Sequence, residues 1–163
     1  MKLGITSSLF LSMFVIAGFC FASGKVDFSG TWKLEKDKSF SNPAGLEQTL
    51  AITQKGEQVT LDTDLKTTRG GPQKLTEAYS LDGKEADFTP AQPPNAKGKR
   101  KASWLPNGQG IMIEDVVSVD GKVVNQTTRK WTLSADGKTL TVDYFIDVQH
   151  GSYEAKRVFI KAG

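Results

Sequence analysis

Only one of the 163 residues is cysteine and only one is histidine. Those two counts exclude a disulfide framework, cysteine-rich zinc sites, a two-histidine metal centre and any Ser-His-Asp triad not built on His150. A strong charge of one sign is also missing: 21 Lys and Arg face 18 Asp and Glu, a net +3. Nucleic-acid binding domains carry a concentrated basic surplus, so nucleic acid is not expected as a partner. Disorder is excluded by composition, because 38% of residues are hydrophobic and 24% charged. No Gly-rich phosphate loop occurs, since Gly70-Gly71-Pro72 reads as a turn. No cofactor and no metal are expected.

One long apolar run is present, and it lies at the start. Lys2 precedes a charge-free stretch, and residues 9–21 (LFLSMFVIAGFCF) are apolar except for Ser12 and Gly18. A short positive start, an apolar segment and then small residues make a secretory signal. Cleavage after Ala22 or after Gly24 fits the small-x-small rule, and either removes Cys20. A permanent anchor is disfavoured by Gly4, Thr6, Ser7 and Ser8, and lipidation at Cys20 by the large Phe19 before it. The expected organisation is therefore a signal peptide over 1–24 and one domain over 25–163. The expected location is secreted or periplasmic, with no stable membrane insertion after cleavage.

Past residue 25 no helical period stands out, with at most a single turn near Asn42 to Leu46. Asp82-Gly83, Asn107-Gly108, Asp120-Gly121 and Asp136-Gly137 are instead the dipeptides that supply positive φ at both centres of a type I′ hairpin turn. Between them side chains alternate with period two. Leu140, Val142, Tyr144, Ile146 and Val148 share one face. So do Leu46, Gln48, Leu50 and Ile52; Val59, Leu61, Thr63 and Leu65; and Val123, Asn125, Thr127, Arg129, Trp131 and Leu133. The domain is predicted to be all-β. Consecutive antiparallel hairpins hide their edges by closing into an up-and-down barrel of about eight to ten strands, with a two-sheet sandwich as the competitor. The three Asp-Gly-Lys triplets have unequal spacing, so they are reused turns and not a repeat. Residues 89–98 (TPAQPPNAKG) predict an exposed, stiffened connector at the mouth.

The two ends of the domain carry a resemblance. Phe28-Ser-Gly-Thr-Trp-Lys-Leu34, with Gly30-Thr31-Trp32 as a Gly-x-Trp motif, resembles the opening of lipocalins and fatty-acid-binding proteins, the calycin superfamily. Lys156-Arg157-Val158-Phe159 resembles the last strand of fatty-acid-binding proteins, where an Arg-x-Tyr pair reaches into the barrel. The longest match, Trp131 to Val142, resembles exported bacterial lipocalin-like domains. Phe159 replaces the family's tyrosine, no counterpart of its helix pair is evident between Phe40 and Leu46, and lipocalin disulfides are absent. The resemblance implies a lipocalin-like barrel with Trp32 plugging one end under a late-strand arginine, for which Arg157 is the candidate.

Candidate ligand contacts follow from the inward faces: Arg129, Trp131, Tyr144, Arg157 and Phe159. The two arginines are the candidates for an anionic group, because a charge on an internal face must be paired or wet. Lys97, Lys99, Arg100 and Lys101 are expected to be a solvated strand edge. Catalytic arrangements fail on spacing. Asp143 and Asp147 share a face but stand about 13 Å apart, against the roughly 5–9.5 Å of glycosidase pairs, and Glu114 and Asp115 point to opposite faces. His150 reads as a turn residue. No catalytic residue is assigned, and an enzyme is not expected. The expected function is an exported monomer that carries or sequesters a small hydrophobic or amphipathic ligand, with an anionic one included. The alternative is a non-catalytic structural or interaction protein of the cell envelope with a filled barrel.

Overall fold

The computed structural model describes residues 24–163. All of the expected signal segment except Gly24, Cys20 included, lies outside the described residues. Ten strands follow one another: β1 (Gly30–Leu34), β2 (Glu47–Lys55), β3 (Gln58–Thr67), β4 (Gly71–Ser80), β5 (Asp82–Phe88), β6 (Lys97–Trp104), β7 (Gly110–Val119), β8 (Lys122–Leu133), β9 (Thr139–Val148) and β10 (Gly151–Lys161). They form one antiparallel sheet in the order β4-β3-β2-β1-β10-β9-β8-β7-β6-β5. First and last strands meet, with Trp32 opposite Lys161 and Leu34 opposite Phe159. The fold is an up-and-down β-barrel closed everywhere except between β4 and β5, which share no ladder.

Turn chemistry explains both the hairpins and the gap. At Asp120-Gly121 both residues have positive φ, 50° and 78°, as a two-residue I′ turn between β7 and β8 requires. The other three dipeptides depart from expectation. Only their glycines are left-handed, and Asp82, Asn107 and Asp136 each accept a hydrogen bond from the backbone N–H two residues on. These are Asx-turns, in which the side chain replaces a backbone turn bond. Asp82-Gly83 also closes no hairpin. Leu81, between β4 and β5, is buried and its N–H donates to Glu57 O at 2.8 Å. Pinned to the β2–β3 turn, the chain leaves β4 instead of folding back along it.

The predicted helical turn near Asn42 is a β-turn, with Leu46 N–H donating to Pro43 O. The only helical residues among those described are a 3-10 turn at Lys36–Lys38. No helix of the described residues is long and apolar enough to cross a membrane. The Pro-rich connector joins β5 to β6 at the same end as residues 35–46, 68–70, 120–121 and 149–150.

Opposite that end the barrel is filled. Trp32, Trp131, Phe28, Phe159, Ile111, Ile113, Leu140, Val59 and Val142 are fully buried, and Phe28 meets Trp131 edge to face at 5.9 Å. Residues 25–28 strap this floor shut: Gln54 accepts from Phe28 N–H and donates to Val26 O, and Trp32 Nε1–H donates to Phe28 O. Each large aromatic in such a floor is worth about 3–5 kcal/mol against alanine. The cation over Trp32 is not Arg157 but Lys161, whose Nζ stands 5.2 Å from the ring. The β1–β10 register decides this, because Lys161 lies directly opposite Trp32 and Arg157 lies four residues, about 13 Å, up the strand.

Candidate ligand-binding site

Above the floor, the inward faces turn polar at one level. Alternation points Glu77 and Tyr79 of β4, Arg100 of β6, Asp115 of β7, Arg129 of β8, Tyr144 of β9 and Arg157 of β10 to the interior, as the registers place them among buried apolar neighbours. They form two groups with different charge.

In the first, Asp115 Oδ1 accepts from Arg100 Nε at 2.6 Å, and its Oδ2 accepts from Arg100 Nη2 at 2.9 Å and Arg129 Nη2 at 2.6 Å. Glu77 Oε1 accepts from Arg100 Nη2 at 2.8 Å, and its Oε2 from Arg129 Nη1 at 3.2 Å. Arg129 Nη1 also donates to Tyr79 Oη at 3.1 Å. Burial pushes the Tyr79 hydroxyl well above the usual phenol range, so it stays protonated. Burial works against charge on Arg129, but the facing Tyr79, Glu77 and Asp115 more than offset it and keep the guanidinium ionised. Burial likewise opposes ionisation of Glu77, and Arg129 and Arg100 overcome it, leaving its pKa below the usual carboxylate value. Two arginines and two carboxylates cancel. With both acids committed to guanidiniums, neither is placed to work as a proton donor or acceptor, and among the described residues no group of three His, Cys, Asp or Glu could hold a metal.

This cluster also spans the open seam. Arg100 lies between two rings, 4.3 Å from Phe88 of β5 and 4.9 Å from Tyr79 of β4. Phe88 reaches it by lying across Gly98, where any Cβ would collide with the ring. A cleft of about 310 Å³ remains at the seam, lined by Tyr79, Phe88, Arg100, Ala78, Ala86 and Ala102. A further hollow, about 480 Å³, is on the outer face of β2–β4 among charged side chains such as Glu47, Asp64, Lys66 and Lys74.

The second group centres on Arg157, which is half-buried. Its Nε donates to Asn42 Oδ1 at 3.0 Å, and its Nη1 to Gln48 Oε1 at 3.0 Å and Tyr144 Oη at 3.4 Å. The guanidinium lies 4.7 Å from the Tyr144 ring. All of these partners are neutral. Among the described residues no carboxylate pairs with Arg157, in contrast with Arg100 and Arg129. Toward the open end, the inward positions become progressively wetter. Leu65, Val117, Thr127 and Ile146 are half-buried, and Leu75 and Tyr153 are 41% and 52% exposed. The open end of the barrel is thus ringed by half-buried and exposed apolar side chains, with one cation below them that has no carboxylate partner.

The residues singled out in the sequence thus separate. Arg157 and Tyr144 touch each other below the open end, and Arg129 is Tyr144's neighbour across the ladder. Trp131 and Phe159 lie lower, buried in the filled end. Sequence reasoning missed Glu77, Tyr79, Asp115, Gln48 and Asn42. Arg100 is a correction: expected at a solvated edge, it points inward and has a side chain only 11% exposed. The signal was available in the alternation of Gly98, Arg100, Ala102 and Trp104 with Lys97, Lys99 and Lys101.

No protein-family model matches this chain, and no curated protein matches it in sequence. Solved structures do resemble it in fold. Zebrafish ileal bile acid-binding protein complexed with cholic acid is 16% identical with a TM-score of 0.55, over 83% of this chain and 98% of that one. A secretory abundant heat soluble protein from Ramazzottius varieornatus is 14% identical with a TM-score of 0.52, over 82% of this chain and 94% of that one. With first and last strands paired, a filled floor under Trp32 and these neighbours, the chain has the fold of a lipocalin-like, calycin-type barrel.

Proposed function

We propose that this is an exported, non-catalytic binding protein that carries or sequesters a small amphipathic anion, with the anionic group on Arg157 and the apolar part against the inward apolar side chains of the open end. The observation that carries the reading is the charge balance of the inward arginines. Arg100 and Arg129 are matched by Glu77 and Asp115, and Arg157 has only neutral oxygens. A half-buried guanidinium without a counter-ion gains most from a ligand carboxylate, sulfonate or phosphate, which it can grip with parallel N–H donors. Cholic acid, bound by the zebrafish neighbour, is an amphipathic carboxylate, which supports the class. Lys2 and the apolar run after it support export to a secreted or periplasmic location.

The filled floor favours a second reading, a scaffold whose barrel holds nothing. Calorimetric titration of delipidated protein with decanoate, decanol and decyltrimethylammonium separates the two. The carrier reading expects saturable decanoate binding, weaker binding of the alcohol and cation, and a loss of about 30-fold in Arg157→Gln, equivalent to about 2 kcal/mol for a charge-assisted hydrogen bond. Absence of saturable binding, or equal affinity for all three, would leave the scaffold reading standing. Native mass spectrometry of the protein from its source would add the identity of any molecule carried.

A further inference from the structure

The belt contains three inward arginines, Arg100, Arg129 and Arg157, and two inward carboxylates, Glu77 and Asp115. It therefore holds one positive charge in excess, and all of that excess sits on Arg157. The two acids are not equivalent. Asp115 is on β7, opposite Arg100 and one strand from Arg129, within the continuous wall. Glu77 is on β4, across the seam where no backbone ladder joins the strands, and its side chain is 27% exposed against 11% for Asp115.

We infer that Glu77 is an internal counter-ion that sets ligand charge, completing with Asp115 the neutralisation of Arg100 and Arg129 so that the barrel interior accepts a single anionic group. This rests on the carrier reading and extends it to ligand class: monoanions are taken and dianions refused. Arg129 has the makings of a second anion site. It is buried, its Nη2 is held by Asp115 at 2.6 Å and its Nη1 by Glu77 and Tyr79, and its Nε has no hydrogen-bond partner. It lies opposite Tyr144, the residue against which Arg157 stacks. From β8 to β10 is two strand spacings, about 10 Å, which a medium-chain α,ω-diacid can span with one carboxylate at each arginine. In the native protein the second carboxylate meets Glu77 beside Asp115 at that guanidinium, whereas without Glu77 only Asp115 remains to serve both Arg100 and Arg129. Two like charges at one guanidinium repel, and the incoming one also loses its water.

The test is a pair of probes, decanoate and decanedioate, titrated into the native protein, Glu77→Gln and the double variant Glu77→Gln/Arg129→Met. Native protein is expected to bind decanoate at least about tenfold more tightly than decanedioate, and Glu77→Gln to reverse that preference by a similar factor. Adding Arg129→Met should abolish the reversal. Should Glu77→Gln fail to fold, Glu77→Asp keeps the charge but draws it one methylene back from both guanidiniums, and an intermediate ratio is expected. If decanoate binds through Arg157 but the ratio is the same in native protein and Glu77 variants, the assignment of Glu77 is overturned while the carrier reading survives. If decanoate does not bind at all, both are overturned.

Discussion

Replacing Arg100 with methionine tests how the barrel wall is held together at its one unbonded seam. Elsewhere neighbouring strands are joined by backbone ladders, but β4 meets the far wall only through side chains. Arg100 is the hub of that contact. Its edge donates twice to Asp115 and once to Glu77, and its faces cover Phe88 and Tyr79. Methionine keeps the length of the side chain and leaves the two carboxylates to share Arg129 alone. Removing one partner of a buried ion network costs about 3–5 kcal/mol, and the lost stacking about 0.5–2 kcal/mol more. Solvent reaches Glu77, so screening takes back part of this, and a net loss of about 3–4 kcal/mol is expected. For a domain of this size that lowers Tm by about 10 °C. Urea denaturation gives the magnitude, and amide exchange gives the place: β4 amides should lose protection before those of the β1–β10 junction. A stability loss under about 1 kcal/mol, or β4 protection equal to the native protein's, would refute the view that this residue holds the seam. Lys99→Ala is the control, because Lys99 pairs with Glu85 and Asp87 on the outer face with more than half its side chain exposed, and it should leave both measurements unchanged.

Other consequences are as accessible. Glu77 has its pKa held below the usual glutamate value by Arg129 and Arg100, so its contribution to stability is complete above about pH 4.5 and is lost as pH falls through the lower folded value; urea midpoints measured from pH 6 to pH 3 should fall, and less so in Glu77→Gln. Gly98→Ala drives the Phe88 ring off Arg100, so it should lower Tm by several degrees, and the double variant Gly98→Ala/Phe88→Ala should lose less than the sum of the two single changes. Phe159→Ala opens a cavity in the filled floor, where the ring is fully buried, and should cost about 3–5 kcal/mol in chemical denaturation; the same assay on Phe145→Ala, whose ring is 46% exposed on the outer face, should show far less.

How much of this was legible in the sequence depends on the range of the interaction concerned. Period-two alternation is local, and the runs containing Leu50, Leu61, Trp131 and Val142 face inward as read. The gap at β4–β5 was not legible, because Asp82-Gly83 carries the same local signal as a hairpin. What diverts the chain is Leu81, held by the carbonyl of Glu57 some two dozen residues earlier. The cation over Trp32 was misassigned for the same reason: the β1–β10 register is a contact between the two ends of the domain, and nothing near Arg157 or Lys161 encodes it.

Charge shows this dependence most sharply. The overall +3 is an unremarkable sum over mostly exposed groups, and it carries no information about a ligand. The informative quantity is the excess of one positive charge in the belt, and it exists only once registers are known. Arg100 finds Asp115 because the β6–β7 ladder sets them opposite each other, and Glu77 reaches both Arg100 and Arg129 because the barrel curls until β4 faces β6 and β8. Sequence alone offered Arg129 and Arg157 as equal candidates for an anion. Packing separates them, since a carboxylate brought to Arg129 must displace one already there, and a carboxylate brought to Arg157 displaces only water and neutral oxygens. The selectivity argued for Glu77 is thus a property of strand order, and moving that single carboxylate is enough to change it.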